Sequence, residues 1–283
     1  MFKYIKLFHK YYLSPRPETL PVKQNDFPMY IEPFDFEKYR KDIFAFQDHF
    51  TIEVAQTIIY NNEMFEIFRI EINNPSAKKK LLIFTTVHGN EFVTALVIPR
   101  LLADIVANHN FYEEWNIRII APLNPVGLKY QSRYNEDGYD INRDFKSFQT
   151  PQAQLERDEI NTFNPDFIID LHEHAEDGVM IFSSPHVSKK LQENILSDLK
   201  NNNVPLWNNH PMLKILGVEK GVSRTDFIMT MLMKILGVHP LMRYVREKVM
   251  IPIITTETSW IEKNMEKRIT PHILVIKRIV EEF

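Results

Sequence analysis

Two histidines and a glutamate are the first residues whose types and spacing could do chemistry together. His88 and Glu91 lie three residues apart with Gly89 between them. At a turn between a strand and a helix, that spacing lets both side chains point to one side and share a metal ion. His172 ends the predicted buried strand 167–172 and could supply a third ligand. His174 is an alternative third ligand, but His172 is favoured because it is closer to the strand's apolar run.

A long polar segment between these histidines offers groups that could bind and polarise a substrate. It runs from Asn124 to Phe145. Arg133 could stabilise negative charge that develops on an oxygen. Arg143 carries a planar fork suited to a carboxylate, and the neighbouring Asn142 adds hydrogen-bond donors. Long loops inside compact domains are often functional, so this segment is predicted to line a site.

Glu257 is the last candidate, because it follows a run of apolar residues and threonines that looks like a buried strand. Burying a carboxylate is costly unless it is paired or functional. Beside a metal ion, such a glutamate is the natural general base.

Each of these residues taken singly also fits an ordinary structural role. Glu91 could stabilise a helix N-terminus, His172 could be a hydrogen-bonded core histidine, and Glu257 could form a structural ion pair. A single Arg or Asn of the polar segment could simply be solvated. The catalytic interpretation therefore depends on the candidates occurring together in one chain.

Composition limits the chemistry further. The 283 residues include 34 Lys plus Arg and 37 Asp plus Glu, for a net charge of −3, and no Cys. Without Cys there is no disulfide, no thiolate metal site and no Cys nucleophile, so any metal must use His, Asp and Glu. The slightly acidic balance argues against a dedicated nucleic-acid-binding protein.

The elements that must position these residues follow from hydrophobic patterning. Residues 51–60 and 64–72 alternate and flank Asn61-Asn62-Glu63, which predicts a hairpin. Apolar runs predict further strands at 80–87, 116–123, 167–172, 179–184 and 251–257. Helical patterns cover 91–107, 151–162, 188–200, 223–237 and 263–282.

This alternation predicts an α/β fold with a mixed, largely parallel twisted sheet and helices on both faces. We expect a single catalytic domain over residues 1–283, with residues 1–50 as an N-terminal extension packed on or near it. Chemistry in open α/β sheets lies at the carboxyl ends of strands. His88, Asn124, His172 and Glu257 each come at such an end, so they are expected to converge.

The N-terminus indicates no export signal. Lys3, Lys6 and Lys10 interrupt every apolar stretch there, and no window has the roughly 20 apolar residues of a transmembrane helix. A cytoplasmic protein without a membrane-spanning segment is expected.

The order of these motifs resembles the carboxypeptidase A/B-type zinc metallocarboxypeptidases over about residues 80–260. The resemblance implies one zinc ion and a substrate, a peptide or an N-acyl amino acid, with a free carboxylate. It implies the following roles: His88, Glu91 and His172 as zinc ligands, Asp140 as the carboxylate that orients His88, Arg133 as the group that polarises the scissile carbonyl, Asn142 and Arg143 as the grip on the terminal carboxylate, and Glu257 as the general base.

Some features depart from that family or leave alternatives open. Tyr244 matches the family's mobile tyrosine by position only, and Met242 and Arg243 lie in the region of the specificity pocket. A second metal through Glu173 or His174 also stays open.

Two other functions compete with the peptidase. Aspartoacylase and succinylglutamate desuccinylase, in the same superfamily, share the His-Gly-Asn-Glu and Asp-x-Asn-Arg motifs and hydrolyse N-acyl amino acids. They carry an extra β-rich domain after the catalytic Glu, whereas 26 residues follow Glu257, which favours the peptidase. A zinc-holding scaffold that binds C-termini without cleaving them is a third possibility, but binding alone needs neither Glu257 nor Arg133.

Overall fold

One mixed sheet with helices packed on it holds the candidate residues. The computed structural model describes residues 33–207, 218–219, 221–224 and 239–283. Within these ranges the strands are β1 (Thr51–Tyr60), β2 (Glu63–Ile72), β3 (Lys79–Thr85), β4 (Trp115–Ala121), β5 (Phe167–His174), β6 (Met180–Ser183), β7 (Val218–Glu219), β8 (Val222–Arg224) and β9 (Ile253–Ser259). The helices are α1 (Phe36–Phe44), α2 (Val93–Ala107), α3 (His109–Tyr112), α4 (Pro125–Tyr130), α5 (Pro151–Phe163), α6 (Lys189–Asn201), α7 (Leu241–Tyr244) and α8 (Met265–Glu282).

The described strands form one sheet in the order β1-β2-β4-β3-β5-β9-β6-β8-β7. The four central strands β4, β3, β5 and β9 are parallel, and β2 and β6 pair antiparallel to them on either side. Nearly every residue of β5 is buried, as expected for a strand covered on both faces. The predicted fold class is confirmed.

Two hydrophobic clusters cover the two faces of the sheet. Successive residues of a strand point to opposite faces. Leu81 and Ile83 accordingly belong to the cluster that includes α2, α6 and α8, whereas Leu82 and Phe84 belong to the cluster that includes α5. The core therefore lies on both sides of the central parallel strands and holds their carboxyl ends in place.

The predicted hairpin is present, because β1 and β2 pair antiparallel with Tyr60 opposite Glu63. Asn61 and Asn62 form its two-residue turn with φ of 50° and 62°. Asparagine tolerates this left-handed conformation, which two-residue hairpin turns favour.

The described part of the N-terminal extension packs on the sheet. Helix α1 buries Tyr39 and Ile43 in the same cluster as Phe68 of β2. Residues 1–32 lie outside the described residues. The predicted helix 223–237 is wrong at its start, because Val222–Arg224 pair with β6 and form β8. Its remainder, 225–237, lies outside the described residues.

Two further boundaries differ from the prediction. The predicted loop 124–150 contains α4, which begins when the Asn124 side chain caps the Gly127 N–H, and a 3-10 turn at Ile141–Arg143. Strands β5 and β9 continue two residues past His172 and Glu257, since their pairing extends to His174 and Ser259. Within the described ranges, every helix is too short or too polar to cross a lipid bilayer.

Candidate metal centre

The three predicted ligands come together at the carboxyl ends of β3 and β5. His88 lies in the turn after β3, Glu91 lies just before α2, and His172 lies in β5. All three are buried, and each offers a ligand atom within 4.8 Å of the others. Glu91 places Oε1 at 2.7 Å from His88 Nδ1 and Oε2 at 2.8 Å from His172 Nδ1. Two imidazole nitrogens and a carboxylate form a donor set that suits a divalent transition metal.

Each histidine is oriented by a second carboxylate. His88 Nε2 lies 3.2 Å from Asp140 Oδ1, and His172 Nε2 lies 2.8 Å from Asp170 Oδ2. A carboxylate that accepts the Nε2–H leaves the Nδ1 lone pair free for a metal. Asp140 was expected from the resemblance, whereas Asp170 was missed. Its signal was the two-residue spacing from His172, which puts both side chains on one strand face.

Two carboxylates of this centre have lowered pKa values. Burial by itself raises the pKa of Glu91, but the charges of His88 and His172 outweigh it and hold the pKa below its usual value. Burial likewise raises the pKa of Asp140, and the charges of Arg133 and Arg143 lower it well below the usual value. Both carboxylates are therefore ionised at neutral pH.

Arg133 lies beside the ligand set. Its Nε donates to Asp140 Oδ2 at 2.8 Å, and its Nη1 is 3.2 Å from His88 Nδ1 and 3.7 Å from Glu91 Oε1. The side chain is 8% exposed, so its charge acts with little screening by solvent. A substrate oxygen near the ligands would meet this positive charge.

Glu257 stands next to His172 on the adjacent strand. It pairs in register with His172 of β5 on one side and with Met180 of β6 on the other. Residues in register point to the same face of a sheet, so the Glu257 side chain lies on the ligand side. Burial raises the pKa of Glu257 to about 7, against the opposing charge of His172. A carboxyl with such a pKa can accept and return a proton at neutral pH.

Asn142 and Arg143 lie on the Asp140 side of the centre. The Leu241 N–H donates to Asn142 Oδ1 at 2.9 Å, so the start of α7 packs against this turn. Arg143 Nη1 donates to the Asn142 carbonyl at 2.8 Å, and its charge reaches Asp140. The Arg143 charge thus acts on Asp140, the Asn142 side chain contacts the start of α7, and the assignment of both residues to substrate binding stays a prediction.

Tyr244 lies in an aromatic cluster. Its ring is 5.9 Å from that of Phe145 and 5.3 Å from that of Phe148, between ring centroids. Burial raises the pKa of its hydroxyl, and the charges of Arg157 and Asp158 on α5 act on that pKa in opposite directions. Its assignment as the mobile tyrosine stays a prediction, and so do the pocket roles of Met242 and Arg243.

The neighbours of His172 make other contacts. Glu173 forms an ion pair with Arg268, and His174 Nε2 lies 2.8 Å from the Gly178 carbonyl oxygen. Among the described residues, His88, Glu91 and His172 form the one group of His, Cys, Asp and Glu side chains placed to hold a metal.

Sequence comparisons match the central part of the chain. Residues 60–166 match a family described as a protein of unknown function, DUF2817. Carboxypeptidase 2 of Trichophyton rubrum is 30% identical over 107 residues, which are 36% of this chain and 20% of that protein. Probable carboxypeptidase 2 of Trichophyton verrucosum (strain HKI 0517) is also 30% identical over 107 residues, 36% of this chain and 21% of that protein. The chain spans about a fifth of the length of these curated relatives.

Solved structures with the same fold extend over most of the chain. A proposed metallopeptidase from Shewanella denitrificans OS217 matches with a TM-score of 0.70 at 14% identity, covering 92% of this chain and 98% of that one. The metallo-carboxypeptidase from Burkholderia cenocepacia has a TM-score of 0.63 at 15% identity, covering 89% of this chain and 69% of that one. The metallo-carboxypeptidase from Pseudomonas aeruginosa, in complex with (2-guanidinoethylmercapto)succinic acid, has a TM-score of 0.63 at 16% identity. It covers 89% of this chain and 69% of that one. The chain has the metallocarboxypeptidase fold, and the expected resemblance to this family is confirmed.

Proposed function

We propose that this carboxypeptidase-like chain is a zinc-dependent hydrolase that removes the C-terminal residue of a peptide. The observation that carries the proposal is the buried group of His88, Glu91 and His172, with Glu257 in register beside it. The carboxypeptidase relatives support peptides as the substrate class.

The chain's own residues divide the work of such a reaction. Zinc held by the three ligands would supply a Lewis acid that polarises a carbonyl and makes water more acidic. Glu257 takes the proton of the attacking water and returns it to the leaving amine. Arg133 stabilises the negative charge that develops on the carbonyl oxygen.

Recognition of the free carboxylate is assigned to Asn142 and Arg143. The guanidinium of Arg143 can grip a carboxylate with two parallel hydrogen bonds, and the amide of Asn142 adds a donor. A carboxylate fixed there places the last amide bond near the ligands, so that binding energy is used for orientation. An N-acyl amino acid presents the same two groups, which makes it the natural competing substrate.

The experiment uses three substrates with the zinc-loaded protein and follows products by mass spectrometry. These are a peptide with a free C-terminus, the same peptide as its C-terminal amide, and an N-acetyl or N-succinyl amino acid. We expect loss of the terminal residue from the free peptide and no cleavage of the amide. Equal cleavage of the amide would contradict carboxylate recognition.

Two other results would replace the proposal. Release of acetate or succinate without peptide cleavage would assign the deacylase activity. Zinc binding and peptide binding without any product would assign the non-catalytic scaffold. A location in the cytoplasm remains a prediction beside this function.

A further inference from the structure

We propose that the buried ion pair between Arg268 and Glu173 positions Glu91 as a metal ligand and thereby sets the metal affinity. The inference rests on the proposed metal site. Arg268 Nε lies 2.7 Å from Glu173 Oε1, and Arg268 Nη2 lies 2.8 Å from Glu173 Oε2. Both side chains are 0% exposed, so this is a fully desolvated pair with the two-pronged geometry that fixes direction as well as distance.

Glu173 holds Glu91 in two ways. The backbone N–H of Glu173 donates to Glu91 Oε2 at 3.0 Å, which is the oxygen that also faces His172 Nδ1. The side-chain Oε2 of Glu173 accepts from the Val93 N–H at 3.2 Å. Val93 begins α2 two residues after Glu91, so Glu173 fixes both the carboxylate of the ligand and the backbone that carries it.

Arg268 in turn fixes Glu173 from α8. Its guanidinium lies 4.9 Å from the centre of the Phe92 ring, and its Nη1 donates to the Glu262 carbonyl at 3.5 Å. Glu173 points to the face of β5 opposite His172, because successive strand residues alternate. The pair therefore ties α8 and α2 together behind the strand that carries a ligand, without reaching the metal itself.

Stability alone is a weak reason for such a pair. The cost of desolvating two charges can exceed the gain from their attraction, and apolar replacements of buried pairs are often neutral or stabilising. Groups that orient metal ligands, in contrast, change metal affinity by roughly 10–100-fold when they are replaced. The side-chain contact of Glu173 with the Val93 N–H, two residues after Glu91, thus assigns the pair a positioning role.

The test measures zinc affinity by competition with a coloured chelator, and the visible spectrum of the cobalt-substituted protein. We expect about tenfold weaker zinc binding and an altered cobalt spectrum in Glu173→Gln and Arg268→Gln. Arg268→Lys keeps the charge but not the fork, so an intermediate affinity is expected. The double variant Glu173→Gln/Arg268→Gln buries no unpaired charge, so it tests the same contact if a single variant fails to fold.

Glu159→Gln is the matched control. Glu159 is a 2% exposed carboxylate paired with Arg69 and Arg118, and among the described residues none of its contacts is to a metal ligand. The Glu159→Gln protein should be less stable than the wild type, while its zinc affinity and cobalt spectrum stay unchanged.

Two outcomes would overturn the inference. One is wild-type affinity and spectrum in the folded Glu173 and Arg268 variants. The other is the same loss of affinity in Glu159→Gln, which would mean general loosening. A wild type that binds zinc but cleaves no substrate would contradict the proposed function and leave this inference standing.

Discussion

At the scale of single residues, the two histidines of the centre share one arrangement. Each turns Nδ1 towards Glu91 and gives Nε2 to an aspartate, Asp140 for His88 and Asp170 for His172. With a metal on Nδ1 the proton of each ring lies on Nε2, and the aspartate, which can only accept it, holds the ring in that tautomer. Metal affinity should therefore depend on groups that never touch the metal.

Asp170→Asn tests this dependence on the less expected of the two aspartates. The amide is neutral and can donate to His172 Nε2, which favours the tautomer with a proton on Nδ1. We expect zinc affinity to fall by about 10–100-fold, measured by chelator competition. Asp166→Asn is the control. Asp166 directly precedes the same strand, β5, and its side chain accepts a hydrogen bond from the Lys80 N–H of β3. Unchanged affinity in Asp170→Asn would contradict the assigned role.

Glu257→Gln tests the general base. The amide keeps the size of the side chain but cannot accept a proton, so peptide cleavage should fall by about two to four powers of ten. Zinc content should stay at the wild-type level, because Glu257 is not among the three grouped ligands. Glu262→Gln, in the loop after β9, is the control and should cleave normally. Near-normal turnover in Glu257→Gln would show that another group acts as the base.

At the scale of elements, the turn that carries His88 is held against the start of α4. A Cβ on Gly89 would lie 1.9 Å from the backbone carbon of Gly127, so only glycine fits this close approach. Asn124 joins the same contact, because its Nδ2 reaches the carbonyls of Val87 and Arg133 at 3.4 Å. The segment after β4 therefore sets the position of His88 as well as that of Arg133.

Gly89→Ala should accordingly displace His88. The added methyl group meets backbone atoms that cannot move aside alone, so we expect both a lower melting temperature and weaker zinc binding. Gly221→Ala is the control, because its φ of 77° also disfavours alanine, while the nearest atoms are side chains at 3.2 Å. Melting curves and chelator competition separate the effects. An equal fall in zinc affinity in both variants would contradict the inference that the close approach at Gly89 positions His88.

The elements could be predicted from sequence more fully than their contacts. Apolar runs located the central strands because buried parallel strands lack polar residues, and the asparagines at 61–62 located the hairpin turn. The pairing of β5 with β9 was not predictable, since strand pairing depends on residues about 85 positions apart and leaves no local pattern. For the same reason the partnership of Glu173 with Arg268 was not visible, although Glu173 had been noted.

At the scale of the whole molecule, the free energy of unfolding should depend on pH through His272. This buried residue of α8 places Nε2 at 3.2 Å from Thr258 Oγ1, whereas Nδ1 has no hydrogen-bond partner among the described residues. Burial, together with the charges of His172 and Arg268, lowers the pKa of His272 to about 3. The folded protein thus keeps this histidine neutral where the unfolded chain, with a pKa of about 6.5, takes up a proton.

Stability contributed by His272 is therefore present above pH 6.5 and is lost as the pH falls towards 3. Between pH 7 and pH 5 the loss amounts to about 2 kcal/mol for one such proton. His272→Gln removes the titration and retains a side chain able to hydrogen-bond to Thr258. Between pH 7 and pH 5 its unfolding free energy should therefore decline by about 2 kcal/mol less than that of the wild type. Urea unfolding with a chelator present measures the difference, because metal binding would otherwise add its own pH dependence. His49→Gln changes an exposed histidine, and its unfolding free energy should decline like that of the wild type. An equal decline for His272→Gln would mean that the buried histidine is not the group responsible.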